Sequence, residues 1–145
     1  METVKNYFTM AESDYQYLKE DYERGKFGNV LCYCSQNICE RYLKHVIDVY
    51  VRDVNTTEVL RTHNLKNLRG FIKNALPDFK ANWSIILMAD GYYFAARYPG
   101  SEASFTTAED ASDCQQAVEE TRRAVIEYVQ AHPVNSKPVK IDAFK

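Results

Sequence analysis

Residues from about Phe27 to Arg52 carry one long apolar helical stripe, and no other feature limits the fold as strongly. Phe27, Leu31, Cys34, Ile38, Tyr42 and Val49 recur at steps of three, four and seven residues, the spacing of one face of an α-helix. Leu43, Val46 and Tyr50 widen that stripe to more than half the circumference. A helix this apolar needs cover on two sides, from a bundle and, on this reading, from a second subunit. Tyr33, Asn37, Glu40, Arg41, Lys44 and Asp48 share the narrow remaining face.

The rest of the chain repeats the helical period. Val4, Phe8, Ala11, Tyr15, Leu18 and Tyr22 form a first stripe, which Gly25-Lys-Phe-Gly28 breaks. Asn55-Thr-Thr57 marks a loop. Thr62 is placed to cap a third helix carrying Leu65, Leu68, Ile72 and Ala75, before Pro77 interrupts. Asp78 is placed to cap a fourth, running through Trp83, Ile86, Leu87 and Tyr93 to Arg97-Tyr98, where Pro99-Gly100 stops it. Within that run Asp90 interrupts the apolar face and calls for a partner, such as an arginine of a neighbouring helix. Thr106-x-x-Glu109 reads as a capping box for a fifth helix with Ala111, Cys114, Val118, Val125 and Val129 inward. Arg122-Arg123 near its end suits the helix dipole. No stretch alternates with a period of two, and no segment repeats. The expectation is an all-α antiparallel bundle of about five helices over residues 1–132, followed by a proline-containing tail, 133–145.

Composition narrows the function by exclusion. A chain of 145 residues suits one domain, and its net charge of -2 argues against broad duplex binding while leaving a local basic patch open. There is no G-x-G-x-x-G and no Walker loop among the five glycines. Cys32, Cys34, Cys39 and Cys114 lack the C-x2-C pairs of zinc sites. They read as reduced packing cysteines of a cytoplasmic protein, with no metal or cofactor implied. No secretory signal or membrane-spanning run is apparent.

Three blocks say more. Gln36-Asn-Ile-Cys-Glu40-Arg41-Tyr-Leu43-Lys44 has a Q-x3-E-[KR]-x-L-K form, Thr62-His63-Asn64-Leu65 opens the third helix, and Arg97-Tyr98-Pro99 closes the fourth. In this order and spacing they resemble the HEPN family of small prokaryotic helical domains, over roughly Val4 to Val129. The resemblance implies an up-and-down four-helix bundle with an additional short helix, usually a homodimer. It also implies nucleotide or RNA binding within a toxin–antitoxin or defence system, often beside a minimal nucleotidyltransferase as partner. A large subset of the family are metal-independent ribonucleases, with an arginine and a histidine four to six residues apart. Such a pair suits the chemistry, because arginine holds a phosphate bidentately and histidine moves the proton. In this sequence three residues separate Arg41 from His45, one separates Arg61 from His63, and eight separate Arg123 from His132. No pair fits.

The residues expected to bind a ligand are therefore Arg41, Lys44, His63, Arg97 and Tyr98, lining one cationic, aromatic-edged hollow. His63 is the candidate if there is catalysis. The plain alternatives are a local hydrogen bond for His63, a solvated i,i+4 ion pair for Glu40 and Lys44, and simple helix termination at Arg97-Tyr98-Pro99. His45 lies in the core stripe and reads as structural, and His132 as surface. Three functions stay open: a nucleotide- or RNA-binding HEPN protein, an endoribonuclease using an arginine and a histidine, and a pure protein-interaction module.

Overall fold

The computed structural model describes residues 5–25, 28–91 and 107–134. Among them are five α-helices and no strand. Helix α1, Tyr7–Glu23, opens on a reciprocal cap. Asn6 Oδ1 accepts the Thr9 amide at 2.8 Å, and the Asn6 amide donates to Thr9 Oγ1 at 3.0 Å. Phe8, Ala11, Tyr15 and Leu18 are its buried stripe, as the period of the sequence requires. Gly25, at φ 69°, takes the left-handed conformation that ends the helix.

Helix α2, Asn29–Tyr50, lies back along α1. Tyr22 bonds Ser35 near one end of the pair and Glu12 bonds Tyr42 further along, so the two helices are antiparallel. The last long helix, α5, spans Ala108–Ala131. Thr121 meets Cys39 and Tyr128 meets Tyr50, so α5 runs in the same sense as α2, as the second and fourth members of an up-and-down bundle do. Leu31, Ile38, Leu43, Val46 and Ile47 of α2 are buried in one core with α1, α3 and α5. The wide apolar face of α2 is thus covered from within the chain. A cleft of about 400 Å³ between α1 and α2 leaves Cys34, Asn37 and Arg41 partly accessible.

Several helix boundaries differ from expectation, each for a local reason. Helix α3, Leu65–Ala75, is capped by Asn64, which accepts the Asn67 amide at 3.1 Å. Thr62 instead accepts the Asn64 amide at 3.2 Å, two residues on, closing a turn ahead of the helix. Asp78 caps nothing; its carboxylate accepts from Tyr128 and faces His132, pinning the loop to the end of α5. Helix α4 begins later, at Asn82, covers only Trp83–Ile86, and continues as a 3-10 turn, Leu87–Ala89. The expected continuation through Tyr93 to Pro99-Gly100 lies outside the described residues. The capping box of α5 is Thr107 with Asp110, one register beyond the expected pair, whose Thr106 lies outside the described residues. Because α5 continues to Ala131, Arg122 sits in mid-helix and reaches across to Glu12 rather than answering the dipole. No described helix is long and apolar enough to cross a membrane.

Candidate functional site

Gln36, Glu40 and Lys44 follow one another at single-turn intervals on α2, so their side chains share a line. The segment leading into α3 lies over that line. Gln36 Nε2 donates to the His63 carbonyl at 2.6 Å and reaches Glu40 Oε1 at 3.3 Å, fixing the loop to the helix. His63 Nδ1 lies 3.3 Å from Glu40 Oε2, and Lys44 Nζ lies 3.8 Å from the same oxygen.

The pair expected at the surface is buried: Glu40 is 3% exposed and Lys44 6%. Its cover is the segment before α3, which helical spacing on α2 alone cannot reveal. Burial pushes the Glu40 carboxyl above its ordinary range, against the opposing pull of Lys44 and His63. Burial likewise pushes the Lys44 ammonium down, against the pull of Glu40. At 3.8 Å the Lys44 contact is an ion pair without a hydrogen bond, so the carboxylate is only loosely satisfied. The His63 side chain, 44% exposed, forms the mouth of this corner.

Of the expected ligand-binding residues, Lys44 and His63 come together around Glu40. Arg41, one residue along α2, turns toward α1 and pairs with Asp14 at the edge of the 400 Å³ cleft. Arg97 and Tyr98 lie outside the described residues. The described chain ends its 3-10 turn at this corner. Asp90 Oδ1 accepts the Leu65 amide at 2.9 Å, so the end of the 3-10 turn is tied two residues from His63. Among the described residues that amide, at a helix start where donors lack intrahelical partners, is the partner of Asp90 in place of an arginine.

The other two histidines point elsewhere. His45 is 1% exposed, packs its ring 5.4 Å from that of Phe8, and finds no partner for either nitrogen among the described residues. Burial lowers its pKa to about 4, as expected of a structural histidine. His132 stacks on Tyr128 at 4.0 Å and turns Nε2 to Asp78 at 2.8 Å, so the residue read as surface is half-buried and engaged.

A second polar cluster went unread in the sequence. Glu12 accepts from Arg122 Nε at 2.6 Å, Arg122 Nη2 at 3.2 Å and Tyr42 Oη at 2.5 Å. The Arg122 guanidinium also lies 4.6 Å from the centre of the Tyr15 ring, and Tyr15 donates to Glu119 at 2.7 Å. Only the position of Glu12 beside Ala11 on the buried edge of α1 hinted at it.

The family model of the HEPN domain matches residues 4–129. The chain belongs to the HEPN family. No curated protein and no solved structure matched it significantly. In this HEPN domain, two of the three sequence blocks, Gln36–Lys44 and Thr62–Leu65, are the ones that meet at Glu40. What meets there is one carboxylate flanked by an amide, an imidazole and an ammonium, an arrangement able to hold a polar ligand and to set the orientation of the imidazole.

Proposed function

We propose that this HEPN domain is a dimeric nucleotide- or RNA-binding component of a prokaryotic toxin–antitoxin or nucleotidyltransferase-associated system, with its ligand site at the Glu40 corner. The observation that carries the reading is the burial of Lys44 and Glu40 behind a partly exposed His63. A charged pair this loosely joined adds little to stability, which favours a role in recognition. Lys44 and His63 supply donors for a phosphate, and Glu40 supplies an acceptor for a ribose hydroxyl or a base amino group. A nucleotide satisfies both halves, whereas inorganic phosphate would meet the carboxylate unfavourably. Arg97 and Tyr98, on this reading, would add a guanidinium fork and a stacking face. A thermal-shift screen tests this: nucleotides should raise the melting temperature and phosphate should not. No shift with any nucleotide at millimolar concentration would favour the pure interaction module.

For the dimer, the α1/α2 cleft is the better-supported surface, since the wide face of α2 is spent internally. Tyr17 and Val30, 77% and 73% exposed, line it with Leu18, Leu31 and Ile38. Sedimentation of Val30→Glu should show monomer where the unmodified chain shows dimer. A partnering nucleotidyltransferase remains part of the proposal and is testable by co-purification with a candidate encoded beside it.

One contact favours a second reading. A carboxylate behind a partly exposed imidazole, Glu40 with His63 at 3.3 Å, is the geometry of a general acid or base. The endoribonuclease reading predicts metal-free RNA cleavage that His63→Ala abolishes. Equal background rates for the two proteins remove it.

A further inference from the structure

Five cations, Arg61, Lys66, Arg69, Lys73 and Lys80, fall within twenty residues that contain one carboxylate, Asp78, in a chain of net charge -2. That carboxylate is engaged by Tyr128 and His132. None of the five cations has an acidic partner among the described residues, in contrast to Arg41, Arg122 and Arg123, which all do. Lys66, Arg69 and Lys73 recur at steps of three and four, so α3 carries them as one stripe about 10 Å long beside its buried Leu65, Leu68 and Ile72. Lys66 and Lys73 are exposed and Arg69 is half-buried. Three like charges in a row repel each other, and folding alone gives no reason to align them.

The stripe leads into a groove. Lys73 and Lys80 line an open cleft of about 760 Å³ together with Phe79 and Trp83, whose rings lie 5.8 Å apart. Arg123 and Glu120 form its far wall and neutralise each other at 2.6 Å, so its free positive charge comes from the two lysines. Trp83 is half-buried and presents part of its indole to the groove. Cations spaced along a helix and ending at an aromatic wall suit a chain of phosphates with a base stacked at its end. An acidic peptide would use the cations and leave the indole without a role.

The geometry points to a binding track for single-stranded polynucleotide along α3, from Lys66 through Lys73 into the Trp83 groove. The track is separate from the Glu40 corner and does not depend on it. The test is fluorescence anisotropy with labelled U12 and dT12 at several salt concentrations, on the full chain. The unmodified protein should bind, with affinity falling steeply as salt rises. Lys66→Gln/Arg69→Gln/Lys73→Gln should bind at least about tenfold more weakly, and its salt slope should drop by about two, one phosphate contact per lost cation. Its melting temperature should stay unchanged, because the stripe buries nothing the core needs. Trp83→Leu should weaken oligonucleotide binding about fivefold or more while leaving inorganic polyphosphate binding intact. A preference for U12 over dT12 would assign the ligand to RNA, and parity to either strand. No oligonucleotide binding at low salt, an unaltered slope in the triple variant, or equal competition by polyglutamate would overturn the inference. Mononucleotide binding, read separately in Lys44 and His63 variants, reports on the Glu40 corner alone.

Discussion

Two buried carboxylates, Glu12 and Glu40, have opposite surroundings in the same bundle. Glu12 joins α1, α2 and α5, takes a two-pronged arginine and a phenol at 2.5 to 3.2 Å, and is saturated. Glu40 is more deeply buried, yet the His63 imidazole and the Lys44 ammonium stand at 3.3 and 3.8 Å. His45 extends the series, with no partner at all among the described residues. Saturation marks a clamp, because each bond holds a helix in place. On the proposed reading, the longer contacts at Glu40 leave bonding capacity for a ligand.

The largest effect should come from breaking the clamp. Arg122→Met leaves the Glu12 carboxylate buried without its cation and should lower unfolding free energy by about 3–5 kcal/mol, read from urea denaturation. A loss below about 1 kcal/mol would erase the contrast between the two carboxylates.

Next comes pH. The folded-state pKa of His45, about 4, is depressed from 6.5, so the unfolded chain takes up the proton first as pH falls. The contribution of His45 is full above pH 6.5 and is lost between 6.5 and about 4, roughly 3 kcal/mol in all. Glu40 acts in the opposite sense. Its raised pKa gives stability that is full in acid and fades as pH rises through the folded value. Denaturation of His45→Leu at pH 7 and pH 4.5 should show a much smaller acid loss than the unmodified chain.

These contrasts were only partly legible in the sequence. Stripes on α1, α2 and α5 were readable because period and burial coincide there. The two blocks around Glu40 and His63 were readable as a motif, but the burial of Lys44 was not, since it depends on a covering segment twenty residues away. Arg122 was read as a dipole partner because Glu12, on α1, is out of view of the pattern of α5 alone. Helix α4 was overextended because Asp78 resembles a cap when its partners in α5 are out of view. The cations of α3 went unread because attention to Leu65, Leu68 and Ile72 follows only the apolar side of a helix.

Smaller effects sharpen the comparison. Removing both charges at the corner, Glu40→Gln/Lys44→Met, should leave stability within about 1 kcal/mol of the unmodified chain or above it. The exposed Arg41–Asp14 pair should matter least, and Asp14→Asn should change stability by only about 0.2–1 kcal/mol. Both are read from the same urea curves.

The most direct test of the Glu40 corner as a ligand site is calorimetric titration of a nucleoside triphosphate into the unmodified protein and into Glu40→Gln/Lys44→Met. Binding by the first, and at least about tenfold weaker binding by an equally stable second, is the predicted result. Equal binding by both, or none by the unmodified protein at millimolar ligand, would contradict it.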